Sequence, residues 1–194
     1  MLSCFDVAEY FLMKVDEEEG EVITHLKLQK LAYYAQSASL AFYDSALFSE
    51  TLEAWKHGPV VPELYDTYKE HKGSPLPKVV FAEKNVYSAV ERRLMDDVYT
   101  FFGQYAAWKL RDMTHEETPW QEAFPTKGVI AHTSMQSYFR THWADDMRAA
   151  VSDPDDLLRE MRDMHWEPTA GMLEAARRYK QGRVAGDKYI TEVV

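Results

Sequence analysis

Residues 24–62 read THLKLQKLAYYAQSASLAFYDSALFSETLEAWKHGPVVP, and within them Leu28, Leu31, Ala32, Ala35, Ser39 and Phe42 recur at helical spacing. The pattern predicts a long helix with one buried face. Thr24 suits its start, because a threonine oxygen can accept an orphan N–H of the first turn. On the opposite face stand Lys27, Lys30, Tyr34 and Gln36, which the pattern leaves solvated or free to hold a partner. Residues 52–56 predict a short extended or irregular run. Gly58-Pro59 ends it as a tight turn, since a residue before proline is pushed out of the helical region. Pro62 has the fixed backbone angle and missing donor of a first helical position.

The same patterning extends along the chain. A first helix is expected over residues 4–14, capped by Ser3, with Phe5, Ala8, Leu12 and Val15 along one side. The acidic run 16–21 reads as a solvated loop. A helix from Pro62 to about His71 closes at Gly73, and the prolines of residues 74–77 prevent its continuation. Residues 78–82 suit a short strand or an extended linker. Asn85 is the expected cap of a helix carrying Val86, Val90, Leu94, Val98, Phe101 and Phe102, which Gly103 ends or kinks. A helix resumes over 104–113 through Ala106, Ala107, Leu110 and Met113. Thr118-Pro119-Trp120 opens another, and Thr133 or Ser134 caps one reaching about Arg148, with Met135, Tyr138, Phe139 and Trp143 inward. The expectation is a mainly α, compact bundle of six or seven helices with at most one small β element over residues 1–150. A helical C-terminal extension follows over 151–194.

Composition narrows the reading. The 194 residues suit one domain with an appendage, and 46% hydrophobic with 13% aromatic residues supply a core. A formal net charge of −10 makes nucleic acid a poor partner, because duplex binding depends on neutralising phosphates. Residues 169–188 reverse the sign, with five basic residues against two acidic ones, a net +3. That stretch either folds back on the acidic body, contacts a partner or is a loose tail. Cys4 is the only cysteine, so an intrachain disulfide and a CxxC metal site are impossible; it reads as a small apolar residue of the first helix, and a cytoplasmic setting fits. No apolar run approaches the ~20 residues of a membrane span.

Chemistry is sparsely signalled. No two of the seven histidines are spaced i, i+4, and His115-Glu116-Glu117 departs from the zinc-protease HExxH. His57 and His115 read as capping or packing residues, and Trp55, Tyr65 and Trp120 as core aromatics. No GxSxG, P-loop or GxGxxG occurs, so no enzyme, cofactor or metal is expected. A competing reading sets Lys27, Gln29, Lys30 and Tyr34 around a concave surface with Trp55 and the turn residues Gly58, Pro59 and Val60. Amide, cationic and aromatic groups there would suit a peptide or a nucleotide-like ligand.

The segments TxxKLQKLxYY, EAWKHGPVVPELY and THEETPW, in that order, resemble the Panacea antitoxin domain, also called SocA-like. The resemblance covers roughly residues 5–143. It implies a protein found beside toxin genes in bacteria, prophages and other mobile elements, which neutralises a cognate toxin of a type II toxin–antitoxin system by direct protein–protein binding. One branch implies instead a proteolytic adaptor delivering its toxin to a ClpXP-type protease. The extension 151–194 lies outside the resemblance and is a candidate for toxin specificity, with Arg177, Arg178 and Arg183 as its contacts. A small-ligand or nucleotide-binding domain is the rival reading. A DNA-binding autoregulator is disfavoured by the charge and by the lack of a clear helix-turn-helix.

Overall fold

A computed structural model of the chain describes residues 1–15, 22–79, 86–143 and 146–147. The expectations for residues 16–21, for Asn85, for most of 78–82 and for the extension with Arg177, Arg178 and Arg183 lie outside the described residues. In chain order the elements are α1 (Cys4–Lys14), α2 (His25–Tyr43), β1 (Glu53–Trp55), β2 (Gly58–Val60), α3 (Pro62–Tyr68), α4 (Ala89–Phe102), α5 (Ala107–Glu116), α6 (Thr118–Ala123) and α7 (His132–His142). The domain is mainly α, as the patterning predicts, with one two-stranded antiparallel hairpin.

Local signals place the starts of α1 and α2. Ser3 Oγ accepts from the Asp6 N–H while the Asp6 carboxylate accepts from the Ser3 N–H at 2.8 Å, so two first-turn donors are satisfied reciprocally. Thr24 Oγ1 accepts from Lys27 N–H, as expected. Cys4 is fully buried in α1, and burial followed by the nearby Glu50 pushes its thiol up to about 12, which makes it a packing residue. Phe5 is 38% exposed, and Val7 and Phe11 fill the inner side in its place.

The long helix departs most from its pattern. Fifteen of the 19 residues of α2 are buried, so the face expected to be solvated is not. The reason is tertiary: α1, α3, α4, α5 and α7 all pack on α2, leaving no side for water. Its polar residues instead bond the backbone of neighbouring segments. Gln36 Oε1 accepts from Leu47 N–H at 2.8 Å and Phe48 N–H at 3.2 Å, and its Nε2 donates to Phe48 O at 3.1 Å. Tyr34 stacks on Phe102 with ring centroids 3.7 Å apart and planes 6° from parallel.

The hairpin also differs from expectation. Its turn falls at Lys56 and His57, while Gly58, Pro59 and Val60 form a strand opposite Trp55, Ala54 and Glu53. The free side of β1 is met by the segment around Val129, where Ala54 N–H donates to Gly128 O at 3.0 Å and Ile130 N–H to Leu52 O at 2.7 Å.

Four helix starts shift, and one of them is α5, which begins at Ala107 instead of 104 and runs on to Glu116. α4 begins at Ala89 because Ser88 and Glu91 form a capping box, leaving Val86 outside the helix and exposed. α6 begins at Thr118 with Glu117 as its cap residue, since Pro119 sits in the first turn and Thr118 is already inside. α7 begins at His132 behind Ala131 and ends at His142. Ser134, expected as its cap, donates its hydroxyl to the Glu122 carboxylate instead, at 2.8 Å.

Candidate functional site

The residues that sequence reasoning set on one concave surface divide between two environments. The first is a buried hydrogen-bonded unit. Gln29 Oε1 accepts from Val61 N–H at 2.8 Å and its Nε2 donates to Val61 O at 3.3 Å, reproducing the donor–acceptor pair a neighbouring strand would present. Lys30 is fully buried, and its ammonium donates to Pro59 O at 2.7 Å. No carboxylate among the described residues pairs with it. Burial first, then the nearby Arg111 cation, draw its pKa from 10.5 down to about 7.

Gly58 completes this contact. Its φ of +93° is one that L side chains rarely adopt, and a Cβ there would stand 2.7 Å from Thr114 Oγ1 and 2.8 Å from Lys30 Cε. Deeper in, the Tyr33 and Tyr34 hydroxyls donate to opposite oxygens of Glu117, at 2.6 and 3.1 Å. Glu117 is 1% exposed; burial raises it to about 7, although both tyrosine hydrogen bonds act to lower it. Trp120 Nε1 donates to Trp55 O at 3.0 Å, and His115 stacks on Trp120 at 4.0 Å, the packing role expected of it. The segments TxxKLQKLxYY, EAWKHGPVVPELY and THEETPW therefore bond to one another. Lys30 and Tyr34 do not line a surface, and Lys27 Nζ is turned to the Gly103 carbonyl at 2.6 Å.

The second environment is a solvent-open recess of 490 Å³ between the start of α2, the hairpin, α3 and the start of α5. Of the predicted set, Gln29, Trp55 and Val60 line it; Lys27, Lys30, Tyr34, Gly58 and Pro59 do not. The Trp55 and Tyr65 rings lie 4.8 Å apart, and His25 lies 5.2 Å from Tyr65. Tyr65 is 37% exposed, so it is a groove residue and not the core aromatic expected. Burial, then Lys30 and His71, lower His25 to about 4, so it is neutral at physiological pH.

Across the recess Trp108 is 61% exposed, edge-on to His57 at 5.8 Å, with the Arg111 guanidinium 5.9 Å from its ring. Lys56 and Lys72 line it too, and no carboxylate among the described residues does. Sequence reasoning missed Trp108, Lys56 and Lys72. A signal existed for the first: Trp108 falls off the apolar stripe of Ala106, Ala107, Leu110 and Met113, so a large aromatic had no place in the core.

Among the described residues no three His, Cys, Asp or Glu side chains gather where they could hold a metal ion, and no helix is long and apolar enough to cross a membrane.

The geometry defines a helical domain whose three motifs form one buried bonded unit beside an aromatic groove. Residues 28–121 match the model of the family described as antitoxin SocA-like, Panacea domain. The match runs from the first turn of α2 through the hairpin to α6, so it takes in Gln29, Lys30, Gly58, Trp108 and Glu117. No curated protein and no solved structure matches the chain.

Proposed function

We propose that the chain is a cytoplasmic antitoxin that neutralises a cognate toxin by direct protein–protein binding, with the aromatic groove as its contact surface. One observation carries this within a SocA-like domain. The motif residues Gln29, Lys30, Tyr33, Tyr34 and Glu117 are engaged internally, whereas Trp108 is presented to solvent over apolar walls. Exposed aromatics around a recess are what interface anchors require. Neutralisation then needs only an interface of ordinary size, about 1,600 Å² in total, that covers or distorts the toxin's working site. In this reading the extension adds toxin-specific contacts through Arg177, Arg178 and Arg183, and delivery to a ClpXP-type protease is a variant of the same binding.

Growth rescue tests it. Each open reading frame beside this one is expressed with and without the protein. One neighbour is expected to halt growth and the protein to restore it, and to co-purify with it. Trp108→Ala should lose rescue with an unchanged melting temperature. A toxic neighbour that the wild-type protein fails to rescue overturns the reading.

A small-ligand reading retains one supporting fact, a recess whose volume suits a small molecule. Its expected cations Lys27 and Lys30 bond backbone carbonyls elsewhere, however. A thermal-shift series with nucleotides and metals checks it.

A further inference from the structure

We propose that the groove takes an acidic segment of the partner protein, with an apolar or aromatic side chain entering between Trp55, Tyr65 and Trp108 and flanking carboxylates meeting Lys56 and Lys72. The inference rests on the antitoxin reading for the partner's identity, but its chemistry is argued from the groove alone.

The local charge opposes that of the chain. The whole protein carries −10, yet among the described residues the recess is lined by two lysines and two histidines and by no carboxylate. The Lys56 and Lys72 ammonium groups have no hydrogen-bonded or ion-pair partner among the described residues. Screening at physiological salt confines charge effects to about 8 Å, so an occupant meets these two cations and one nearby carboxylate, that of Glu53, which is already bonded to Trp55 Nε1.

The walls select a peptide side chain over a nucleotide. Reading a base edge takes a free amide-type donor–acceptor pair, and the groove's one side-chain amide, with the Trp55 indole N–H and the Thr24 hydroxyl oxygen, is engaged within the protein. Gln29 is held by Val61, Trp55 Nε1 donates to Glu53 at 2.8 Å, and Thr24 Oγ1 accepts from Lys27 N–H. Apolar rings and peripheral cations are left. That combination fits an anchor side chain with flanking carboxylates, because rim charges steer and orient while the buried ring supplies most of the affinity.

The test uses the full chain and no toxin. Fluorescence anisotropy follows a fluorescein-labelled decapeptide with a central tryptophan, two glutamates on each side, and glycine and serine elsewhere. Saturable binding is expected, weakened at least about tenfold by Trp108→Ala, by the pair Lys56→Glu and Lys72→Glu, and by replacing the peptide's glutamates with lysines or its tryptophan with alanine. Absent saturation, equal binding of the lysine peptide, or insensitivity to both variants overturns the proposal. Displacement of the probe by AMP at lower concentration than by unlabelled peptide reassigns the groove to nucleotides and overturns it too. So does a concentration-dependent doubling of mass abolished by Trp108→Ala, which gives the groove to a second copy. The two readings fail separately. Growth rescue without peptide binding removes only the acidic segment, and peptide binding without a rescuable neighbour removes only the antitoxin.

Discussion

The buried unit around α2 and the groove beside it share a helix and a hairpin, yet they treat polar groups in opposite ways. In the unit, Gln29, Lys30, Tyr33, Tyr34 and Glu117 are each bonded to protein and shut from water. In the groove, Lys56, Lys72, His57 and Trp108 face solvent. The contrast teaches that the buried motif residues Gln29, Lys30, Tyr33, Tyr34, Gly58 and Glu117 are architectural, while Trp55, Lys56, His57 and Tyr65 of the hairpin motif line the groove. The buried ones hold the hairpin against α2 and α5, and the hairpin thereby presents the rim that we propose as the contact surface.

The largest effect that separates the two regions is expected at Glu117. Glu117→Ala leaves two buried tyrosine hydroxyls without an acceptor and should cost about 3 kcal/mol in urea unfolding. A loss no larger than that of a surface substitution would break the contrast. Gly58→Ala comes next, at about 2 kcal/mol, because the positive φ and the close Thr114 and Lys30 atoms leave no space for a Cβ. Both variants should still rescue growth at a temperature where they remain folded.

Two titrations sharpen the comparison without unfolding the chain. The folded-state value of Glu117, about 7, lies above its ordinary 4.5, so between those values the folded chain keeps a proton that the unfolded chain has released. Its contribution is full below 4.5 and is lost as pH rises to 7. Lys30 runs the other way: its folded value of about 7 lies below 10.5, so stability rises with pH across that window. Glu117→Gln should remove the fall and Lys30→Met the rise, read as the slope of unfolding free energy against pH. Unchanged slopes would mean that these groups are solvated. The smallest effect on stability belongs to the groove. Trp108→Ala should change unfolding by no more than about 0.5 kcal/mol while abolishing rescue.

Much of the fold was legible because its signals are local. Ser3, Thr24, Pro62 and Gly103 act through neighbours within a turn, and each lies where the sequence places it. The surroundings of α2 were not legible. A helix with polar residues on one side reads as amphipathic whether that side meets water or the backbone of a hairpin, and nothing within Lys27 to Gln36 distinguishes the two. The same ambiguity divided the candidate site. Trp55, Gln29 and Val60 were found because they lie beside the motif turn, whereas Lys72 and Trp108 reach the groove only through tertiary packing. Gly58-Pro59 read as a turn because its backbone demand is the same in a turn or in a strand pressed against Lys30.

The hairpin has one further consequence, which concerns self-association. A two-stranded ribbon normally presents unpaired amides and carbonyls along its outer strands, a template for another chain to extend. Here the β1 side is taken by the segment around Val129. On the β2 side Pro59 has no N–H, its carbonyl is held by Lys30, and Val61 is closed by Gln29. A hairpin sealed in this way resists fibre-like stacking and strand exchange.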